Sequence, residues 1–144
     1  KQINKVKVAI FTPDYFYWRV YPGEGNNHLV NQVLNYAIQQ YLQAGYFVIL
    51  EGILPADENQ ELFDWLRDFC NENDIEFNSY FLEITLEKAL ARNKKRQKGK
   101  EISDQDIKDW YRNAKPKEIP GETVVNVEDK SPKEIANLII QRNS

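Results

Sequence analysis

The chain reads YFVILEGILP over residues 46–55, and this stretch decides the fold. Residues 46–50 are five consecutive apolar residues without alternation, which is typical of a strand buried on both faces of a parallel sheet. Gly45 is placed to end a preceding helix, and Glu51 and Gly52 follow the strand. Because ligands of open α/β sheets bind beyond the carboxyl ends of the strands, Glu51 is a candidate functional residue. A strand-end carboxylate that caps a loop is the alternative interpretation.

Strand and helix patterns alternate along the whole chain. Apolar strands are predicted near residues 5–12, 46–51, 77–84 and 123–127, and the third should bury Tyr80, Phe81 and Leu82. Strands that alternate with helices favour an α/β fold. We expect one domain over residues 1–144, built as a three-layer parallel sheet with helices on both faces.

Local signals mark the ends of the predicted helices. An apolar pattern at helical spacing covers residues 29–42 and stops before Gly45, a typical C-cap. Asp57 and Ser103 are placed to cap the helices that follow them. Another helix is predicted from residue 86 to about 97. The last helix begins with a capping box and should bury three apolar residues, Ile135, Leu138 and Ile139.

Composition excludes several classes of protein. The chain is 42% hydrophobic, as a globular protein is. Its longest apolar run is too short to span a bilayer and no secretory signal is present, so we predict a cytoplasmic protein without a membrane partner. The single cysteine, Cys70, fits a reducing compartment, and its helical apolar surroundings predict a buried core residue. The net charge of -3 gives no global electrostatic reason to expect nucleic acid as a partner.

A second carboxylate and an aromatic cluster follow the first predicted strand. Asp14 comes directly after Pro13, which ends that strand. Residues 15–21 are rich in tyrosine, phenylalanine and tryptophan, and they form either an apolar plug over the sheet or the wall of a substrate site. The lone histidine, His28, lies at a predicted helix start, where we expect a local hydrogen bond.

A basic segment lies between the third and fourth predicted strands. Residues 92–100 carry six positive charges and no acid. Arg92 and Arg96 are four residues apart and would share one face of a helix. Two guanidinium groups on one face suit a polyphosphate, whose oxygens accept paired hydrogen bonds. A solvated helix face explains the segment equally well.

The order of these parts resembles a small P-loop kinase of the zeta-toxin-like and predicted small-molecule kinase group. That group is similar to chloramphenicol phosphotransferase and to the 5'-hydroxyl kinase domain of polynucleotide kinase. The resemblance rests on a strand followed by Asp14, a strand followed by Glu51 and Gly52, the basic segment, and the strand at 123–127 with its capped helix. It implies ATP and Mg²⁺ as cofactors and a small hydroxylated molecule as the second substrate.

The resemblance also implies a role for individual residues. Asp14 matches the general base that takes the proton of the substrate hydroxyl. Glu51 would orient the substrate or metal-bound water. Arg92 and Arg96 match arginines of a lid, here about residues 92–116, that neutralise the transferring phosphoryl group. The loop that borders the adenine corresponds to residues 126–130, with Asn126 and Lys130 as candidate nucleotide contacts.

Two departures from the family pattern affect these expectations. Relatives often carry an arginine three residues after the base, where this chain has Tyr17, and Arg19 is the nearest arginine. We expect Tyr17 and Arg19 to contact the substrate. The larger departure is that no Gly-x-x-x-x-Gly-Lys-[Ser/Thr] motif occurs in the 144 residues. Methionine is absent even at position 1, so we expect a truncated chain whose central phosphate-loop strand is missing from between the strands at 46–51 and 77–84.

Three functions remain open from the sequence. The first is ATP-dependent phosphoryl transfer to a hydroxyl of a small molecule or a sugar nucleotide. The second is a catalytically inactive, kinase-like binding or regulatory module. The third is a kinase for nucleic-acid 5'-hydroxyl ends, which needs a basic groove leading to Asp14, whereas residues 15–19 offer one positive charge.

Overall fold

A computed structural model describes residues 6–16, 27–96, 102–116 and 119–142. The chain divides into two compact units, Lys1–Phe77 and Asn78–Ser144, and each is described here by itself. Both units are mixed α/β structures with parallel strand pairing, which confirms the α/β class. None of the helices in the described ranges combines the length and apolarity needed to cross a bilayer.

In its described residues, the first unit contains a two-stranded parallel sheet and three helices. Strand β1 (Val8–Phe11) pairs with β2 (Phe47–Leu50), so that Val8 lies opposite Phe47 and Phe11 opposite Leu50. Between them come the single turn α1 (Pro13–Tyr15) and helix α2 (Asn27–Gln43), and α3 (Ala56–Glu72) follows β2.

The core of this unit lies between α2, α3 and one face of the sheet. Its centre is a cluster of buried aliphatic side chains, of which Leu34 and Leu62 are completely inaccessible to solvent. Phe11, Val48 and Leu50 pack against that cluster from the sheet. The remaining members of the buried cluster are Val30, Ile38 and Leu66. Within the predicted apolar stripe of α2, Val30, Leu34 and Ile38 are buried, whereas Leu29 and Tyr41 are exposed.

The other face of this sheet is exposed, and the prediction that β2 is buried on both faces is wrong. Phe47 is 57% exposed and Ile49 is 40% exposed, and their register partners Val8 and Ile10 are exposed as well. Among the described residues of the unit, α2 and α3 cover only the opposite face. The unalternating apolar strand β2 is therefore covered on one face only, and its other face is exposed to solvent.

The helix ends of the first unit follow the predictions at one position and depart from them at another. Gly45 has φ +76°, its N–H donates to the Leu42 carbonyl, and the next N–H reaches Tyr41, the hydrogen bonds of a glycine C-cap. Asp57 does not cap α3, because the helix begins at Ala56 with Pro55 as its N-cap. The Pro55 carbonyl already accepts the first helical N–H groups, so the start lies before Asp57.

The second unit repeats the parallel pairing with a different set of helices. Strand β3 (Tyr80–Glu83) pairs with β4 (Thr123–Asn126). Helices α4 (Leu86–Lys94) and α5 (Asp104–Asn113) lie between them in sequence, and α6 (Pro132–Arg142) follows. Among the described residues, β1 pairs with β2 in the first unit and β3 with β4 in the second.

Two predicted caps of this unit are confirmed. The Ser103 hydroxyl accepts the N–H of Asp106 at 3.0 Å and so begins α5. At α6, the Ser131 N–H donates to the Glu134 carboxylate at 2.7 Å, and the Glu134 N–H donates back to the Ser131 hydroxyl at 3.4 Å. These reciprocal bonds form the expected capping box.

Burial in the second unit is shallower than the apolar patterns predict. Val125 and Val127 are buried, but Leu82 is 48% exposed, and Tyr80 and Phe81 are only half-buried. The three apolar residues of α6 expected in the core (Ile135, Leu138 and Ile139) are half-buried too. A two-stranded sheet offers too little surface to cover them. Cys70 of the first unit is buried as predicted, and burial raises the pKa of its thiol.

Candidate functional site

The first unit brings two predicted acids to one edge of its sheet. The Glu51 N–H donates to the Phe11 carbonyl at 2.9 Å, so Glu51 lies directly past the last rung of the β1–β2 ladder. Thr12, the residue after β1, donates its hydroxyl to the Glu51 carboxylate. This bond fixes the carboxylate at the carboxyl end of both strands, where ligands of parallel sheets bind.

Asp14 lies at the same edge, in the single turn α1. The Tyr15 N–H donates to the Thr12 carbonyl at 3.1 Å and closes that turn, while Asp14 itself is exposed. Pro13 is buried against Gly52, where an added Cβ would lie 3.4 Å from the proline ring. The close packing of Pro13 on Gly52 ties the turn that carries Asp14 to the residue after Glu51. This edge thus carries two exposed carboxylates, of which that of Glu51 accepts a hydrogen bond from Thr12.

The second unit joins Arg92 to the loop that follows β4. One Arg92 nitrogen, Nη2, donates to the carbonyl oxygens of Val127 at 2.6 Å and Glu128 at 2.9 Å. The guanidinium group therefore holds the backbone of residues 127–128 and lies beside the predicted adenine loop. Asn126, at the end of β4, is exposed, and its side chain accepts the N–H of Glu128 at 3.2 Å.

Two further contacts hold the same loop against the start of α4. The N–H of Thr85 donates to the Glu128 carboxylate at 3.1 Å, and Lys88 donates to Asp129 at 2.8 Å. The hydrogen bond between Lys88 and Asp129 raises the pKa of the lysine and lowers the pKa of the carboxyl group. Lys130 comes next in the chain and borders a shallow groove on α6 with Glu134, Asn137 and Leu138.

Arg96 lies outside the helix in which it was expected. Helix α4 ends at Lys94, not near residue 97, and Lys95 is its C-cap. The Arg96 N–H donates to the Asn93 carbonyl at 3.0 Å in the turn beyond the helix, and the residue is exposed. Arg92 and Arg96 therefore do not share a helix face, because the chain leaves the helix between them.

The burial of Asn93 and the contact of His28 with Glu61 are features that the sequence did not reveal. Asn93 is 5% exposed and its side-chain amide binds the backbone of Ile102. His28 binds Gln32 one turn along α2 at 3.0 Å, as a local bond was predicted, and also Glu61 of α3 at 2.7 Å. An asparagine in a basic run carries no signal of burial, and the Glu61 contact joins residues far apart in sequence.

The structure does not test every predicted site residue. Tyr17 and Arg19, the predicted substrate contacts, lie outside the described residues. Within the described part of the chain, no group of three or more histidine, cysteine, aspartate or glutamate side chains is arranged to hold a metal ion. No protein-family model matches the chain, and no curated protein matches it.

Proposed function

We propose that this chain forms most of a P-loop kinase that transfers a phosphoryl group from ATP to a hydroxyl of a small molecule or sugar nucleotide. The observation that carries the proposal is the strand pairing within each unit, β1 parallel to β2 and β3 parallel to β4. In the kinase sheet that the sequence resembles, the strand bearing the phosphate loop lies between two such pairs. The proposal includes a three-layer fold, in which one parallel sheet has helices on both faces.

The acidic edge of the first unit supports a role in proton transfer. Asp14 is exposed and so is open to a substrate hydroxyl, as a general base must be. Glu51 is held by Thr12 and would orient the acceptor or a water of a nucleotide-bound Mg²⁺. Magnesium in kinases is bound largely by substrate phosphates and water, with one or two carboxylates, which the donors at this edge fit. The ion would neutralise charge on the phosphates.

The second unit supports a role in nucleotide binding. Arg92 fixes the loop whose Asn126 and Lys130 would border the adenine. Arg96, exposed and free of the helix, would contact the phosphates. Phosphoryl transfer also needs a backbone cradle and a phosphate-binding lysine, which no motif in residues 1–144 provides. The proposal therefore requires a phosphate loop outside these residues.

A second candidate is a kinase-like module without activity that binds a ligand or a partner. The absence of the phosphate-loop motif from residues 1–144 favours it. The two candidates differ in whether the protein encoded by the gene contains that motif, and in whether it consumes ATP in the presence of hydroxylated metabolites.

The kinase proposal is tested with Asp14→Asn in the complete gene product. The substitution keeps the size of the side chain and removes its basicity. Since general-base catalysis contributes roughly 10²–10⁴-fold, kcat should fall by about that factor, while the Kd for ATP stays unchanged. Asp68→Asn, at an exposed position of α3, is the matched control and should leave kcat unaltered. Turnover of Asp14→Asn close to that of the control would sink the assignment.

A further inference from the structure

Asn93 is a buried polar residue inside the most basic segment of the chain. It is the penultimate residue of α4 and is 5% exposed, whereas its neighbours Arg92 and Lys94 are exposed. Its Nδ2 donates to the Ile102 carbonyl at 2.7 Å, and the Ile102 N–H donates to its Oδ1 at 3.1 Å. One side-chain amide thus satisfies both backbone groups of a residue nine positions away, as a second peptide group would.

These two bonds bring together the ends of the segment that contains Arg96. The backbone of Asn93 makes a third contact, because its carbonyl accepts the Arg96 N–H at 3.0 Å. The same residue therefore fixes where the chain turns out of α4 and where it returns before α5. The start of α5 does not need this help, since Ser103 caps it independently.

We propose that Asn93 is a positioning residue that holds Arg96 in place to bind the polyphosphate of a nucleotide. This inference rests on the proposed function, which supplies the ligand. The reason for the assignment is that an arginine loses conformational entropy when it binds an anion, and one whose neighbouring backbone is already fixed by hydrogen bonds loses less. The neutral amide suits the task, because an aspartate would meet the Ile102 carbonyl with a negative charge.

The test is a titration of the 144-residue chain with inorganic tripolyphosphate, followed through the NMR signals of the Lys95 and Arg96 amides. We expect those signals to shift, and Asn93→Ala to weaken the Kd about tenfold, the effect of losing roughly one charge-assisted contact. Asn59→Ala is the matched control: Asn59 is 4% exposed and its side chain donates to the Pro55 carbonyl in the other unit. It should leave the affinity unchanged.

A double-mutant cycle separates positioning from a merely structural role. Arg96→Gln should weaken binding in the parent but add little in the Asn93→Ala background, because Arg96 is no longer held in place there. Where Asn93→Ala is too unstable to measure, Asn93→Gln decides. It keeps a neutral amide without adding charge, but its longer side chain moves that amide away from Ile102, so it should still weaken binding.

The outcomes separate this inference from the proposed function. If tripolyphosphate shifts the Arg96 signal but the Asn93 variants bind as tightly as the parent, the positioning role is overturned and the nucleotide site stands. Equal losses from Arg96→Gln in both backgrounds overturn it in the same way. If the parent does not respond to tripolyphosphate, Arg96 is not an anion contact and the role of Asn93 is overturned, whereas the proposed function is judged separately by the Asp14→Asn test in the complete gene product.

Discussion

Substitution of Arg92 distinguishes a structural role of this arginine from a role in nucleotide binding. Its guanidinium group holds the Val127 and Glu128 carbonyls, so Arg92→Ala should loosen the loop after β4 even without any ligand. Val127 is 3% exposed, and a carbonyl left unpaired in such surroundings costs about 1–3 kcal/mol. The Glu128 bond is exposed, and water would replace it at a cost of roughly 0.5 kcal/mol or less.

Together these terms predict a loss of about 2 kcal/mol, which is close to a 30-fold change in an opening equilibrium. The Val127 N–H reports this opening, because it donates to Glu83 across the β3–β4 ladder at 2.9 Å. Hydrogen exchange at this amide should accelerate by about that factor in Arg92→Ala. Arg92→Lys keeps the charge without the planar fork and should fall between the parent and the alanine variant.

Lys88→Ala is the control for charge, since its ion pair with Asp129 contacts the same loop at an exposed position. We expect a smaller change in exchange than with Arg92→Ala, because exposed ion pairs contribute little. An exchange rate in Arg92→Ala equal to that of the parent would refute the structural role. If that variant also lost ATP affinity in the complete gene product, Arg92 would be a nucleotide contact instead.

Two further predictions concern stability. Leu34→Ala, in the centre of α2, should lower the free energy of unfolding by about 3–5 kcal/mol in urea titrations. Leu29 on the same helix is 39% exposed, so Leu29→Ala should lower the free energy of unfolding clearly less. Equal losses would contradict the core assigned to the first unit. Hydrogen bonds from Ser131 lower the pKa of Glu134. At pH values above the ordinary pKa of a glutamate, the capping box therefore stabilises α6, and this stabilisation is lost as the pH falls through the lowered pKa. The melting temperature of Glu134→Gln should therefore lie below that of the parent at neutral pH and approach it in acid, and a constant difference would argue against the cap.

Local chemistry was the part of the fold that the sequence predicted best. Gly45, Ser103 and the Ser131–Glu134 box end or begin helices through bonds within a few residues, so their geometry follows from the residue types. The positions of the strands were also predicted from local sequence, as runs of apolar residues, although each strand is shorter than its run. The prediction that Asp57 caps α3 was wrong, because the helix begins earlier, with the Pro55 carbonyl accepting its first N–H groups.

Burial and site geometry depend on contacts between distant residues and were predicted less well. The apolar sequence of β2 is suited to burial on both faces. Burial of Phe47 and Ile49 also needs another element to pack on them, and the sequence of the strand does not specify one. Asp14 and Glu51 were each expected just past the end of a strand, and both lie there, Asp14 in α1 after β1 and Glu51 past the last rung of β2. The bond from Asn93 to Ile102 had no signal, because it depends on where α4 ends.

The pairing of β2 in the complete gene product tests the kinase proposal most directly. The N–H groups of Phe47 and Glu51 face β1, so those of Val48 and Leu50 face the other edge of the strand. Scalar couplings across hydrogen bonds, measured by NMR, identify the carbonyl that accepts each of these protons. We predict acceptors in a strand that residues 1–144 do not contain, followed by a phosphate loop. Couplings from Val48 and Leu50 to carbonyls within Tyr80–Glu83 would instead join β2 directly to β3 and contradict the proposal.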